Sequence, residues 1–154
     1  MKRWLVVTTP LALASIVLAS CGAGGASTTA KTRDLVVTPA VRIGLFDALA
    51  KFHQLPTKDY VSLAPKMTYY AFDPADDTYY AGAGLVASPH SLQAQIGTQD
   101  DGGYQLLTHK RGVATWKIYN DGLGGADGSI CPIKIPPSVL AVWNWRPGSC
   151  APPL

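Results

Sequence analysis

The sequence predicts an α+β fold: one N-terminal helix packed on a roughly five-stranded antiparallel meander sheet, then a cysteine-bracketed C-terminal segment with a short helix. Three observations carry this. Apolar residues recur at three- and four-residue spacing after Pro39. Runs rich in Tyr, Val, Ile and Thr, parted by Asp, Gly and Pro, fill the middle of the chain. Cys131 and Cys150 enclose a proline-rich stretch with one short apolar run.

The helix lies in "VVTPAVRIGLFDALAKFH", residues 36–53. Thr38 is the N-cap, and Pro39 takes the first helical position, where a missing N–H costs nothing. Val41, Leu45, Ala48, Leu49 and Phe52 make one apolar face, with Arg42, Asp47 and Lys51 off it. "QLPTKDYVSLAP" adds a short helical turn capped by Thr57 and stopped at or before Pro65.

"KMTYYAF" and "TYYAGAGLVA" flank "DPADD", where Asp73-Pro74 suits the opening of a type I turn; this is a hairpin. "SLQAQIGT" and "YQLLTHK" read as two further alternating strands around "QDDGG", where Gly102 and Gly103 can take positive φ. "VATWKIYND" completes the meander after a short "RG" connection. Residues 121–129, "DGLGGADGS", read as a flexible loop. In "CPIKIPPSVLAVWNWRPGSC", Pro136 and Pro137 open a short helix that runs to Trp143. "TYYA" occurs twice, at 68–71 and 78–81, as the two arms of one hairpin.

Lys2 and Arg3 precede an apolar stretch over residues 4–18, the layout of a secretory signal. The stretch is a poor membrane span, because a span needs roughly 20 apolar residues and Pro10 breaks its middle. It ends in Leu18-Ala19-Ser20-Cys21. That ending resembles the bacterial lipoprotein signal, in which a dedicated peptidase cuts before the cysteine and the thiol carries diacylglycerol. The resemblance implies a signal peptide over 1–20 and a Cys21 bearing diacylglycerol with palmitate-type chains. It implies a protein held on the cell membrane, facing away from the cytoplasm. Two acyl chains anchor stably where one does not. Residues 21–33, rich in Gly, Ala, Ser and Thr, then read as a tether, and 34–154 as one domain.

The composition is consistent with that address. Of 13 basic residues, Lys2 and Arg3 leave with the signal, so 11 face 10 acidic ones, all aspartate. So balanced a chain gives no case for nucleic acid, which would need a clustered basic face. Three cysteines is an awkward number in an exported protein. With Cys21 acylated, Cys131 and Cys150 remain as a disulfide pair in an oxidising compartment. Closing that loop contributes around 3 kcal/mol.

"YYAFDPADDTYYAGAGL", "AQIGTQDDGGY" and "CPIKIPPSVLAVWNW" together resemble a group of small exported actinobacterial proteins without an assigned function. The resemblance implies a high-GC Gram-positive source and lends no catalytic residues.

The binding candidates are aromatic. Adjacent strand residues point to opposite faces, so Tyr69-Tyr70 and Tyr79-Tyr80 each put one ring in the core and one outside. Outward rings can stack on a sugar or a partner, although cross-strand ring pairing explains them as well. Trp143 and Trp145, two apart, diverge if helical, with one packed under the disulfide. Asp73, Asp76 and Asp77 crowd one turn and Asp100 and Asp101 another, without EF-hand spacing; turn chemistry accounts for both. His53, His90 and His109 read as surface or cap residues, with His53 at a helix C-terminus where a partly charged ring suits the dipole. Neither G-x-S-x-G nor H-E-x-x-H occurs, so no catalytic residue, metal or cofactor is assigned. The expectation is a non-enzymatic cell-envelope binding module with a glycan or protein partner. Its competitors are a glycan-acting enzyme using Asp101 and an inhibitor that uses the disulfide loop and tyrosines.

Overall fold

The computed structural model describes residues 30–99, 103–120 and 131–153. The signal, Cys21, Asp100, Asp101, Gly102 and the loop at 121–129 lie outside these residues.

After a two-residue strand β1 (Arg33–Asp34), the chain enters α1 (Pro39–Phe52) with Thr38 as N-cap and Pro39 in the first turn. The Thr38 side chain accepts the Val41 N–H at 3.3 Å, satisfying a donor the helix cannot. Leu45, Leu49 and Ala50 are fully buried; Val41 and Ala48 are partly so. Phe52, expected in the apolar face, rests edge-on against His53 and stays 39% exposed. The helix ends in a Schellman turn: Gln54 takes a left-handed φ of 57°, its N–H reaches Lys51 O, and Leu55 N–H reaches Ala50 O.

A 3-10 turn (Thr57–Asp59) follows, and then the chain departs from expectation. Tyr60–Leu63 is strand β2, with Tyr60 and Leu63 buried and a bulge between Tyr60 and Ser62. Pro65 and Lys66, the latter at φ 61°, separate it from β3 (Tyr69–Asp73). The hairpin to β4 (Thr78–Ala87) forms over residues 74–77. The ten residues of β4 pair with β3 and β5 over the first part and with β2 over the last three.

"SLQAQIGT" is no strand. Residues Leu92–Gly97 form helix α2, because Ser91 caps it by accepting the Ala94 N–H at 3.3 Å. The alternation of Leu92, Ala94 and Ile96 was misleading, since only Ala94 is buried. The expected second hairpin therefore does not exist. Instead β5 (Tyr104–Lys110) pairs with β4 and with β6 (Lys117–Asn120). Among the described residues the sheet has six strands, ordered β1-β3-β4-β5-β6 with β2 added on β4, all antiparallel.

Both faces of the sheet are covered, where one helix on one face was expected. Face one packs α1 and α2 on Ala81, Ala83, Leu85 and Leu107. Face two packs the C-terminal segment, with helix α3 (Pro137–Val142), on Ala71, Tyr80, Tyr104 and Leu106. Small residues on β4 make room for this. A methyl on Gly82 would lie well inside van der Waals contact distance of Tyr104 Oη, so the tyrosine ring lies across bare backbone there. No helix among the described residues is long and apolar enough to cross a membrane.

Candidate functional site

The C-terminal segment is built by three devices. Cys131 and Cys150 are disulfide-bonded with Cα atoms 5.4 Å apart. Pro136 and Pro137 start α3, and its far end is a second Schellman turn. There Trp143 is the C-cap, Asn144 takes φ 59°, Trp145 N–H reaches Leu140 O at 2.8 Å, and Asn144 N–H reaches Ala141 O at 3.2 Å. This turn overturns the expected divergence of the two tryptophans. A continuing helix would place them on different sides, but the left-handed residue between them folds both into one cluster. Their rings lie 4.9 Å apart, and both are buried.

A third contact ties the segment down. Asp73 is buried, and its two carboxylate oxygens accept from different parts of the chain. Oδ1 takes the Thr32 hydroxyl at 3.1 Å and the Ala75 N–H at 3.1 Å; Oδ2 takes the Ser138 hydroxyl at 3.1 Å. The aspartate expected as a turn residue thus also holds β1's lead-in and α3's first turn together.

On the outer side of this unit is an open cleft of about 540 Å³, within the size range of small-molecule pockets. Ile133, Ile135, Leu140, Ala141, Trp145 and Pro147 supply its apolar walls, and Cys131 of the disulfide adds to them. Lys134 is the only ionisable group among the lining residues, and it is exposed. The indole N–H groups of Trp143 and Trp145 are buried without an acceptor among the described residues. The cleft escaped the sequence reading, although "PIKIP" carried a signal: two isoleucines alternating with a lysine between prolines present their side chains to one side.

The six aromatic candidates separate by face. Tyr69, Tyr80, Trp143 and Trp145 belong to the cluster beneath the cleft. Tyr69 meets Trp145 edge-on at 5.0 Å, and Tyr80 donates its hydroxyl to Asp76 Oδ2 at 2.6 Å. Burial, then that carboxylate, push the Tyr80 phenol well up. Tyr70 and Tyr79 lie on the other face in a ladder the sequence did not suggest. Tyr70 stacks on Tyr79 at 5.6 Å, Tyr79 on His109 at 4.7 Å, and His109 meets Trp116 edge-on at 4.3 Å. No tyrosine of either pair is fully outside: Tyr80 is buried and the others half-buried, because both faces are covered. In the ladder the ring faces are spent on one another, which is the geometry of cross-strand stabilisation.

The acidic and imidazole groups do not converge on the cleft. Asp77 pairs with Arg111 at 3.0 Å, and Lys110 Nζ donates to the Asp76 carbonyl. Among the described residues no three His, Cys, Asp or Glu side chains are placed to hold a metal. His53 caps α1 as expected but is half-buried beside Tyr60, 6.0 Å away between ring centroids. Burial lowers its pKa, opposed by a side-chain hydrogen bond with Gln105, so the ring is driven toward the neutral form rather than the charged one. His90 is exposed in the loop before α2. The chain matches no protein-family model, no curated protein and no solved structure, so the site stands on its own geometry.

Proposed function

We propose that the protein is an exported lipoprotein, anchored to the cell membrane through diacylglycerol on Cys21, that acts without catalysis by binding an apolar or amphiphilic molecule of the cell envelope. The cleft of the C-terminal unit carries this reading. It is walled by isoleucine, leucine, proline and tryptophan, and no carboxylate or imidazole stands among its lining residues. Such a site is built to bind rather than to move protons. The lipoprotein-like signal ending at Cys21 and the Cys131–Cys150 disulfide support the placement outside the cytoplasm.

Native mass spectrometry of the protein isolated from host membranes tests both halves. The covalent mass should equal residues 21–154 plus diacylglycerol and gain two hydrogen atoms on reduction. A non-covalent apolar adduct should accompany the wild type and be lost in Ala141→Trp, which fills the cleft from an exposed position. An unlipidated mass removes the anchor. An adduct that is missing, or that survives Ala141→Trp, removes the cleft as the binding site.

A further inference from the structure

The position of the cleft relative to the anchor says more about its ligand. Thr32, the last buried residue of the lead-in, and Ser138, in the first turn of α3, hydrogen-bond the two oxygens of the same carboxylate, Asp73. The chain from Cys21 therefore joins the domain beside the helix whose Leu140 and Ala141 wall the cleft. Ten residues separate Cys21 from Thr32, and the stretch spans at most about 40 Å. The tether thus enters the domain on the cleft side of the sheet, and α1 lies across the sheet from it.

Charge and chemistry agree with that placement. Residues 131–153 carry Lys134 and Arg146, both exposed, and no acidic residue; all ten aspartates lie elsewhere in the chain. An anionic membrane surface attracts such cations over about a Debye length. The apolar walls of Ile133, Ile135, Leu140 and Trp145 suit the hydrocarbon of an acyl chain.

We infer that the cleft takes one acyl chain of an anionic glycerophospholipid drawn from the bilayer to which Cys21 is tied, with Lys134 and Arg146 facing the headgroup. This rests on the anchored binding module proposed above and names its ligand.

The test uses the lipidated full protein in vesicles of phosphatidylcholine doped with phosphatidylglycerol that carries a diazirine on one acyl chain. After photolysis, label should concentrate on the residues lining the cleft. Ala141→Trp should lower it about tenfold, as expected when the cavity is filled, whereas Ile43→Trp, on exposed α1 surface, should leave it unchanged. Lys134→Glu and Arg146→Glu should each lower it about fivefold, and this loss should vanish when the diazirine is carried by phosphatidylcholine in vesicles without phosphatidylglycerol. Label spread evenly over the domain, or indifferent to Ala141→Trp, overturns the inference. If the native adduct persists while vesicle lipid fails to label the cleft, the ligand is not a bilayer phospholipid. That outcome overturns this inference and leaves the binding module standing.

Discussion

On one face of the sheet, α1 buries Leu45, Leu49 and Ala50 against Ala81, Ala83, Leu85 and Leu107. On the other, a segment with only six helical residues buries Val139, Leu140, Trp143 and Trp145 against Ala71, Tyr80, Tyr104 and Leu106. A fourteen-residue helix buries Leu45 and Leu49 one turn apart, with Ala50 beside them, and needs only Ala94 of α2 added to cover its face. The shorter segment has no such helix. It is held by a crosslink, a Schellman turn and a buried carboxylate, and its two arms leave a groove on the outer side. Regular packing closes a face, and irregular packing braced at a few points leaves room for a ligand.

The comparison breaks most severely at Leu49. Replacing it with alanine removes a fully buried side chain from the helix-covered face and should cost about 2–5 kcal/mol, read as a lower midpoint in urea with an unchanged slope. The apolar adduct should survive under native conditions, since Leu49 belongs to the other cluster. Loss of the adduct with the fold intact would mean that the two faces are not independent.

Reduction of Cys131–Cys150 is next. The crosslink spans a sequence separation of 19, so its removal should cost about 3 kcal/mol by the chain-entropy account. Tryptophan emission should shift red before far-ultraviolet circular dichroism changes, because Trp143 and Trp145 sit in the braced segment. A cost below about 1 kcal/mol would mean that ring packing, Asp73 and the caps hold the segment unaided, and that the disulfide is incidental to the cleft.

Legibility in the sequence followed the same division. Thr38, Pro39 and the Leu45–Leu49 spacing specify α1 locally, and the Asp73-Pro74 turn specifies the hairpin, so both were readable. α2 was misread because Leu92, Ala94 and Ile96 alternate like a strand, while the decisive group, the Ser91 hydroxyl, acts on the backbone. β2 was missed because its pairing partner lies more than twenty residues away, beyond any local pattern. Asn144 hid the meeting of the two tryptophans: a single left-handed residue reverses a prediction that rests on helical geometry. Of the cleft, the sequence holds no more than the alternation in "PIKIP", because the cavity exists only where the Ile133–Ile135 arm and α3 are brought together.

The smallest effect sharpens the comparison from the helix-covered face. His53 is half-buried there, and burial depresses its pKa from the ordinary value, with the Gln105 hydrogen bond opposing. The unfolded chain, with a pKa of about 6.5, then binds more protons than the folded one as acidity rises. Stability from this group is complete above pH of about 6.5 and is lost as pH falls toward the depressed folded value, with a slope below about 1.4 kcal/mol per pH unit. His53→Asn should flatten that window, read as the midpoint in urea between pH 7 and 5. Should the wild type instead gain stability on acidification from pH 7 to 6, the imidazole is charged in the folded state. The helix dipole would then outweigh burial, and the α1 face would hold a charge at its edge as the cleft face does.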